Sequence, residues 1–241
     1  YLDGFYVKKD TTVPNVTGAS LGGDPVWRTA PGTVYDIDFT ATGTSNLDTA
    51  QYKITSLPNQ GGTVLKDWSA IGTPPYNTAA YTTDWSVDFY TLQESVTNYV
   101  SVRVWNIAGS TQTYNDAFYI RIDTTAPNIT DPIPNDDTTW RATNNGTYNA
   151  DFTDGNNGSR LWKFETRITT GTSQTGEVRQ DWTEQTGTNI YNIFSYSTDW
   201  PIAANSFTAM QEGYNYVSVR LSDNATNYFV RNDCFYVLKD T

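Results

Sequence analysis

One segment of the sequence occurs three times, and this internal repeat restricts the possible folds more than any other feature. The copies read FYVKKDTTVPN over residues 5–15, FYIRIDTTAPN over 118–128 and FYVLKDT over 235–241. Between these segments, the first half of the sequence aligns with the second half. The offset grows from 113 residues (140 − 27) at Trp27 and Trp140 to 117 (220 − 103) at Arg103 and Arg220. A repeat of this length, with insertions that surface loops tolerate, predicts two copies of one domain.

Apolar and polar residues alternate within each repeat. In the first repeat, Val100, Val102 and Val104 alternate with Ser101 and Arg103, and the second repeat has the same pattern over residues 217–221. A period of two with a polar second face is typical of a half-buried antiparallel strand. Similar patterns cover residues 34–40, 51–55 and 164–169, and single helical turns are predicted within 89–94 and 207–211. Since no segment supports a long helix, we predict an all-β fold of two tandem immunoglobulin-like antiparallel β-sandwiches.

The repeated Asp-Thr-Thr-x-Pro segments have the properties of domain joints. Proline lacks a backbone donor and disfavours helix, which suits the entry into a first edge strand. Counting from these joints, domain 1 is predicted over residues 11–123 and domain 2 over 124–241. Residues 1–10 are then expected to be the terminal strand of a preceding repeat, or a donor strand that pairs with a neighbouring molecule.

The joint and the strand of alternating valines, with the turn that ends it, carry a family resemblance. The DTTAP joint after an aromatic strand, together with NYVSVRVWNIAG over residues 98–109, resembles tandem bacterial immunoglobulin-like domains of large surface and adhesin-type repeat proteins. The turn DNATN over residues 223–227 is similar to the turn that ends this strand in such domains. The resemblance implies a sandwich fold, an extracellular or cell-surface location, and a role as spacer, adhesin stalk or scaffold.

Composition and charge exclude several functions. A net charge of −11 and an isoelectric point near 4.3 disfavour a nucleic acid partner, because such a surface repels phosphate. No apolar run approaches the roughly 20 residues that span a membrane. Cys234 is the only cysteine, so the chain can form no internal disulfide. The sequence contains no histidine and no nucleotide-binding or nucleophile motif, and we therefore predict that it is not an enzyme.

Aspartates at the joints are the candidate metal ligands. Calcium binds carboxylate, amide and carbonyl oxygens, and tandem domains of the kind that this chain resembles are often stiffened by calcium at their joints. Asp10, Asp123 and Asp240 hold equivalent joint positions, and Asp223 could approach from the preceding turn. Alternatively, each joint aspartate caps a turn by accepting hydrogen bonds from the threonine amides that follow it. The loop over residues 154–158 (DGNNG) is a second candidate site, although the first repeat has ATGTS there.

Tryptophan permits two interpretations. Six of the eight Trp residues hold matched positions in the two repeats. They either pack the cores of sandwiches that lack a disulfide, or form aromatic platforms that stack on sugars. Trp105 and Trp162 have no counterpart in the other repeat, and we predict that they are contact residues.

The sequence thus favours a noncatalytic structural or interaction module of an extracellular repetitive surface protein or filament. Its expected partners are sister subunits or neighbouring repeats of the same protein. The alternative is a carbohydrate-binding or adhesive module that contacts surface glycans, including one appended to an extracellular hydrolase.

Overall fold

The computed structural model describes residues 2–130 and 137–241, which form two compact units, Tyr1–Ile122 and Asp123–Thr241. Unit 1 contains the strands β1 (Asn15–Thr17), β2 (Trp27–Arg28), β3 (Asp38–Thr40), β4 (Leu47–Leu57), β5 (Gly61–Ala70), β6 (Ala80–Tyr81), β7 (Thr97–Asn106) and β8 (Thr111–Ile122), and a 3₁₀ turn at Phe89–Thr91. They form a three-stranded sheet, β1-β3-β6, and a five-stranded sheet, β2-β8-β7-β4-β5. Strand pairing is antiparallel except between β2 and β8.

Unit 2 repeats this arrangement. It contains β9 (Asn128–Ile129), β10 (Asp137–Arg141), β11 (Phe152–Thr153), β12 (Leu161–Thr169), β13 (Val178–Glu184), β14 (Ser195–Tyr196), β15 (Gly213–Asp223) and β16 (Tyr228–Lys239), with the helix α1 at Ala204–Ala209. The sheets are β14-β11-β9 and β10-β16-β15-β12-β13, and again only the pair β10 and β16 is parallel. Two sheets that divide the strands in this way form an immunoglobulin-like sandwich, so the predicted fold class is confirmed.

Each unit encloses its own hydrophobic core. The alternating residues of β7 and β15 place their apolar side chains inward, and Val100, Val102, Val217 and Val219 are 0% exposed. A tryptophan lies in each core, and its indole N–H donates to a backbone carbonyl: Trp85 to Ile37 at 3.2 Å, and Trp200 to Ala150 at 3.3 Å. A buried Trp whose N–H is satisfied contributes its full apolar area without leaving an unpaired donor.

A bulge in the last strand is fastened to the hairpin between β4 and β5 in unit 1, and to the hairpin between β12 and β13 in unit 2. In unit 2, the Asp233 amide donates to Ser218 Oγ (3.1 Å), and the Asp233 carboxylate accepts from the Ser173 amide (2.5 Å). In unit 1, Asp116 makes the equivalent bonds to Ser101 and Asn59. The bulge therefore fixes a turn that is distant in sequence.

The first residues of the described chain contain no strand. Phe5 is 85% exposed and Val7 78% exposed, whereas Phe118 and Phe235, at the same position of the repeated segment, are each 1% exposed. The proposed role of residues 1–10 as a terminal or donor strand stays a prediction. No helix among the described residues is both long enough and apolar enough to cross a membrane.

Candidate metal centre

Three buried aspartates meet at one end of the sandwich in unit 2. Asp123 precedes β9, Asp154 directly follows β11, and Asp223 is the last residue of β15. Each offers a carboxylate oxygen, and these oxygens lie within 4.8 Å of one another. Asp123 and Asp223 are 0% exposed and Asp154 is 8% exposed. The fold thus brings together three acidic groups that are separated by up to 100 residues (223 − 123).

Backbone amides orient the three carboxylates. Asp123 accepts from the amides of Thr125 (3.1 Å) and Ser159 (2.5 Å). Asp223 accepts from the amide (2.8 Å) and side-chain Nδ2 (2.9 Å) of Asn227. Amides of the neighbouring loops and turns therefore hold both carboxylates in place.

The loop over residues 154–160 closes around Asp154. The amide of Arg160 donates to Asp154 Oδ2 at 2.5 Å, and Arg160 has a φ of +76°, which is unfavourable for a residue with a Cβ. A Cβ at Gly158 would lie 2.4 Å from Asp154 Oδ2, so the loop needs glycine there to pass the carboxylate. Local backbone strain at a polar cluster is a feature of many functional sites.

Burial and mutual repulsion raise the pKa values of two carboxyls. Burial, with the negative charge of Asp123 close by, raises the pKa of Asp154 from 3.8 to about 7. Burial also raises the pKa of Asp223 to about 6, against the hydrogen bonds from Asn227 that lower it. Without a cation, the charged forms of these groups are therefore unfavourable.

No basic side chain among the described residues forms an ion pair with the three carboxylates. Arg160 is nearest in sequence, but its guanidinium donates to the Asn192 carbonyl (3.2 Å) and lies 4.7 Å from the ring of Phe194. Buried charges normally need a partner or a metal ion. A set of hard oxygen donors without histidine or cysteine suits calcium or magnesium, and its composition does not suit zinc.

The described residues of unit 1 form no such cluster at the same place. Asp10 aligns with Asp123, but Ala41 stands in the position of Asp154 (154 − 113) and Asn106 in that of Asp223 (223 − 117). Asp10 instead accepts from the amide and hydroxyl of Ser45, both at 2.7 Å. These hydrogen bonds hold the pKa of Asp10 far below its usual value. Hydrogen bonds therefore satisfy the carboxylate in unit 1.

Of the four aspartates predicted as ligands, the structure brings two together. Asp123 and Asp223 belong to the cluster, whereas Asp10 does not, because its unit has no further carboxylate beside it. Asp240 is exposed, and its amide donates to the Arg141 carbonyl (3.1 Å) in another part of unit 2. The turn-capping alternative also describes real contacts, since both Asp10 and Asp123 accept from the amide of the threonine two residues later.

Comparisons with known proteins give similarities of fold. No protein family matches the sequence, and no curated protein matches it either. Fibronectin(III)-like modules of Clostridium thermocellum CbhA are 14% identical, with 93% of this chain and 95% of that chain covered and a TM-score of 0.31. A 1.5-MDa bacterial ice-binding adhesin is 18% identical, with 97% and 67% covered and a TM-score of 0.38. Cadherin domains 3–6 of protocadherin gamma B2 are 11% identical, with 95% and 52% covered and a TM-score of 0.42.

The tryptophans divide between core and surface. Trp85 and Trp200 are buried, while the matched residue Trp140 is 57% exposed. Trp105, predicted as a contact residue, is half-buried and lies 4.8 Å from the Arg103 guanidinium. Trp162 is 42% exposed, with Lys163 Nζ 4.8 Å from its ring. Packing therefore explains only one of the three matched pairs.

Proposed function

We propose that this chain is a noncatalytic structural and adhesive module of an extracellular, repetitive surface protein. The observation that carries the proposal is the complete duplication of one sandwich, because each unit has its own core and its own fastened hairpin. A chain built from such copies gains length with each copy while every unit keeps its independent stability. The acidic composition and the resemblance of the joint segments to surface repeat proteins support the extracellular location.

In this proposal, unit 2 binds calcium through Asp123, Asp154 and Asp223. The ion would neutralise three buried carboxylates that have no basic partner, and would join the segment before β9 to the ends of β11 and β15. Calcium suits this site better than magnesium, because a site held by buried backbone cannot easily provide the near-octahedral, largely hydrated geometry that magnesium demands. Unit 1 needs no ion, since Ala41 and Asn106 have removed the repulsion.

Single-molecule stretching of the chain tests the mechanical role and the metal together. Unit 2 has 119 residues (241 − 122), and each unit should release about 40 nm when it unfolds, at about 3.5 Å per residue. We expect two unfolding events, of which calcium strengthens one and a chelator weakens the same one. The Asp154→Ala variant should show two events that calcium does not change.

The native mass in solution distinguishes a spacer from a self-assembling scaffold. A monomer with and without chelator supports a spacer or stalk, whereas large assemblies support a filament. A chain that unfolds in one event, or without resistance, would contradict a mechanical module of either kind.

A further inference from the structure

The outer face of the five-stranded sheet in unit 1 carries two rows of side chains, and each row consists of one arginine and two aromatic rings. In the first row, the Arg103 guanidinium lies 4.2 Å from the ring centre of Trp68 and 4.8 Å from that of Trp105. In the second, the Arg121 guanidinium lies 5.9 Å from the Trp27 ring and 5.3 Å from the Tyr119 ring. We call these six residues the aromatic-basic face. Each contact is of the cation–π type, which holds the side chains in place.

Both rows point to the same side of the sheet. Arg121 pairs with Thr97 of β7, and side chains on a strand alternate between faces, so Thr97 and Arg103 share one face. Thr97 and Arg103 are six positions apart, which corresponds to about 20 Å along the strand. A ligand that contacts both rows must therefore be extended.

The two arginines of this face lack a close acidic partner among the described residues. Neither forms an ion pair among the described residues, and Arg103 donates from Nε (2.9 Å) and Nη2 (2.6 Å) to the neutral amide oxygen of Gln51. Lys53, beside the Trp68 ring at 5.9 Å, has only a distant partner in the exposed Asp67, at 3.7 Å. This face is thus positive on a chain whose net charge is −11.

Unit 2 shows the same face in a neutralised form. Arg220 aligns with Arg103 and stacks on Trp182 at 4.8 Å, but Glu165 stands in the position of Gln51 (165 − 114) and pairs with Arg220 at 2.8 Å. Ser222 replaces Trp105 (222 − 117), and Leu238 replaces Arg121 (238 − 117). The fold therefore does not require the free charge or the second indole of unit 1.

We propose that the aromatic-basic face of unit 1 binds an acidic polysaccharide. Arginine recognises carboxylates through charge-assisted hydrogen bonds, and aromatic rings offer flat apolar surfaces to the C–H groups of a sugar ring. Between the rows, the partly exposed Tyr99 lies on the same face of β7 and adds a hydroxyl group, which suits a ligand rich in hydroxyl groups. The proposal gives the adhesive role a ligand class, and so rests on the proposed function.

Three substitutions that install the residues of unit 2 test the proposal in the full chain: Gln51→Glu, Trp105→Ser and Arg121→Leu. Binding to polygalacturonate is measured by affinity gel electrophoresis and calorimetry, with dextran as the neutral polymer. We expect the native chain to bind polygalacturonate and not dextran, with binding that weakens as salt rises. Gln51→Glu should reduce affinity about tenfold, the effect of losing one charge-assisted hydrogen bond. Combining the three substitutions should abolish binding.

Gln93→Glu is the matched control, because it adds the same charge at an exposed position of unit 1 outside the face. It should bind as the native chain does, and calcium should stabilise unit 2 equally in all variants. The proposal is overturned if Gln51→Glu binds polygalacturonate normally, or if dextran binds as well. It is also overturned if single-stranded DNA or an acidic protein binds more tightly than the polysaccharide. In each case an intact calcium response would leave the structural proposal standing.

Discussion

Asp154→Ala should have opposite effects on unit 2 in the absence and in the presence of calcium. The change installs the residue that unit 1 has at the same place, Ala41. In calcium-free protein it removes a buried carboxyl whose pKa is raised from 3.8 to about 7. At 1.36 kcal/mol per pKa unit, a shift of about 3 units means that ionising this group above pH 7 destabilises the fold by up to about 4 kcal/mol. The lost hydrogen bond from the Arg160 amide offsets about 1 kcal/mol of this gain.

Calcium should reverse the order of stability. An ion present at about 1,000 times its dissociation constant stabilises the native chain by about 4.1 kcal/mol, which exceeds the variant's net advantage of about 3 kcal/mol, and the variant lacks the carboxylate needed to bind it. For a unit of 119 residues (241 − 122), each kcal/mol moves the melting temperature by about 4 °C or somewhat more. At that concentration, calcium should therefore raise the melting temperature of native unit 2 by about 16 °C and leave the variant unchanged.

Differential scanning calorimetry at pH 8 resolves the two units when their transitions separate. The transition of unit 1 serves as an internal control, because Asp10 has no carboxylate cluster beside it. The reasoning is refuted if Asp154→Ala destabilises calcium-free unit 2. It is also refuted if calcium moves both transitions equally, or if the variant keeps its calcium response.

Three further outcomes follow from the contacts of unit 2. In calcium-free protein, the free energy of unfolding of unit 2 should fall as pH rises from about 4 to about 8. Folding raises the pKa values of Asp154 and Asp223 to about 7 and 6, so the folded chain keeps protons that the unfolded chain has already lost. Urea unfolding across this pH range measures the change, and a rise in the free energy of unfolding would contradict the prediction. Ser218→Ala should destabilise unit 2 by about 1–2 kcal/mol, since it leaves the Asp233 amide without its acceptor. Ser218→Thr keeps a hydroxyl group, so an equal loss of stability in that variant would point to packing instead. Trp200→Ala should destabilise unit 2 by about 3–5 kcal/mol in thermal unfolding while unit 1 melts unchanged, and a simultaneous loss of both would show that the units are not independent.

The sequence predicted the fold because its strongest signals are local. Alternation in β7 and β15 and the repeated segments around Asp10 and Asp123 need only neighbouring residues to be read. The ends of the strands were predicted less accurately. The strand predicted over residues 34–40 begins only at Asp38, and Tyr35 forms just an isolated bridge with Trp85. The predicted helical turn over 207–211 is a helix that begins at Ala204.

The candidate metal centre was predicted in part. Asp123 stands out because it recurs at the joints, and Asp223 was predicted to approach from the preceding turn, but Asp154 was assigned to a separate and weaker loop because the first repeat has Ala41 there. Its loss in one copy is itself a signal, since Asn106 replaces Asp223 in the same copy. Two acidic positions that disappear together in one repeat indicate a shared role. No sequence pattern predicts the long-range hydrogen bonds of Asp116 and Asp233, because each joins a bulge to a turn about 60 residues away.

The two units differ in charge at one end of the sandwich and on the outer face of the five-stranded sheet. Both keep a buried Trp and the fastened bulge, so the duplicated fold has been retained. Unit 2 keeps three carboxylates at one end and neutralises Arg220 with Glu165, whereas unit 1 removes two of the carboxylates and leaves Arg103 unpaired. Neither change is needed for folding, since the other unit folds without it. We therefore interpret the duplication as a division of labour, in which unit 2 responds to a cation and unit 1 contacts an anionic ligand.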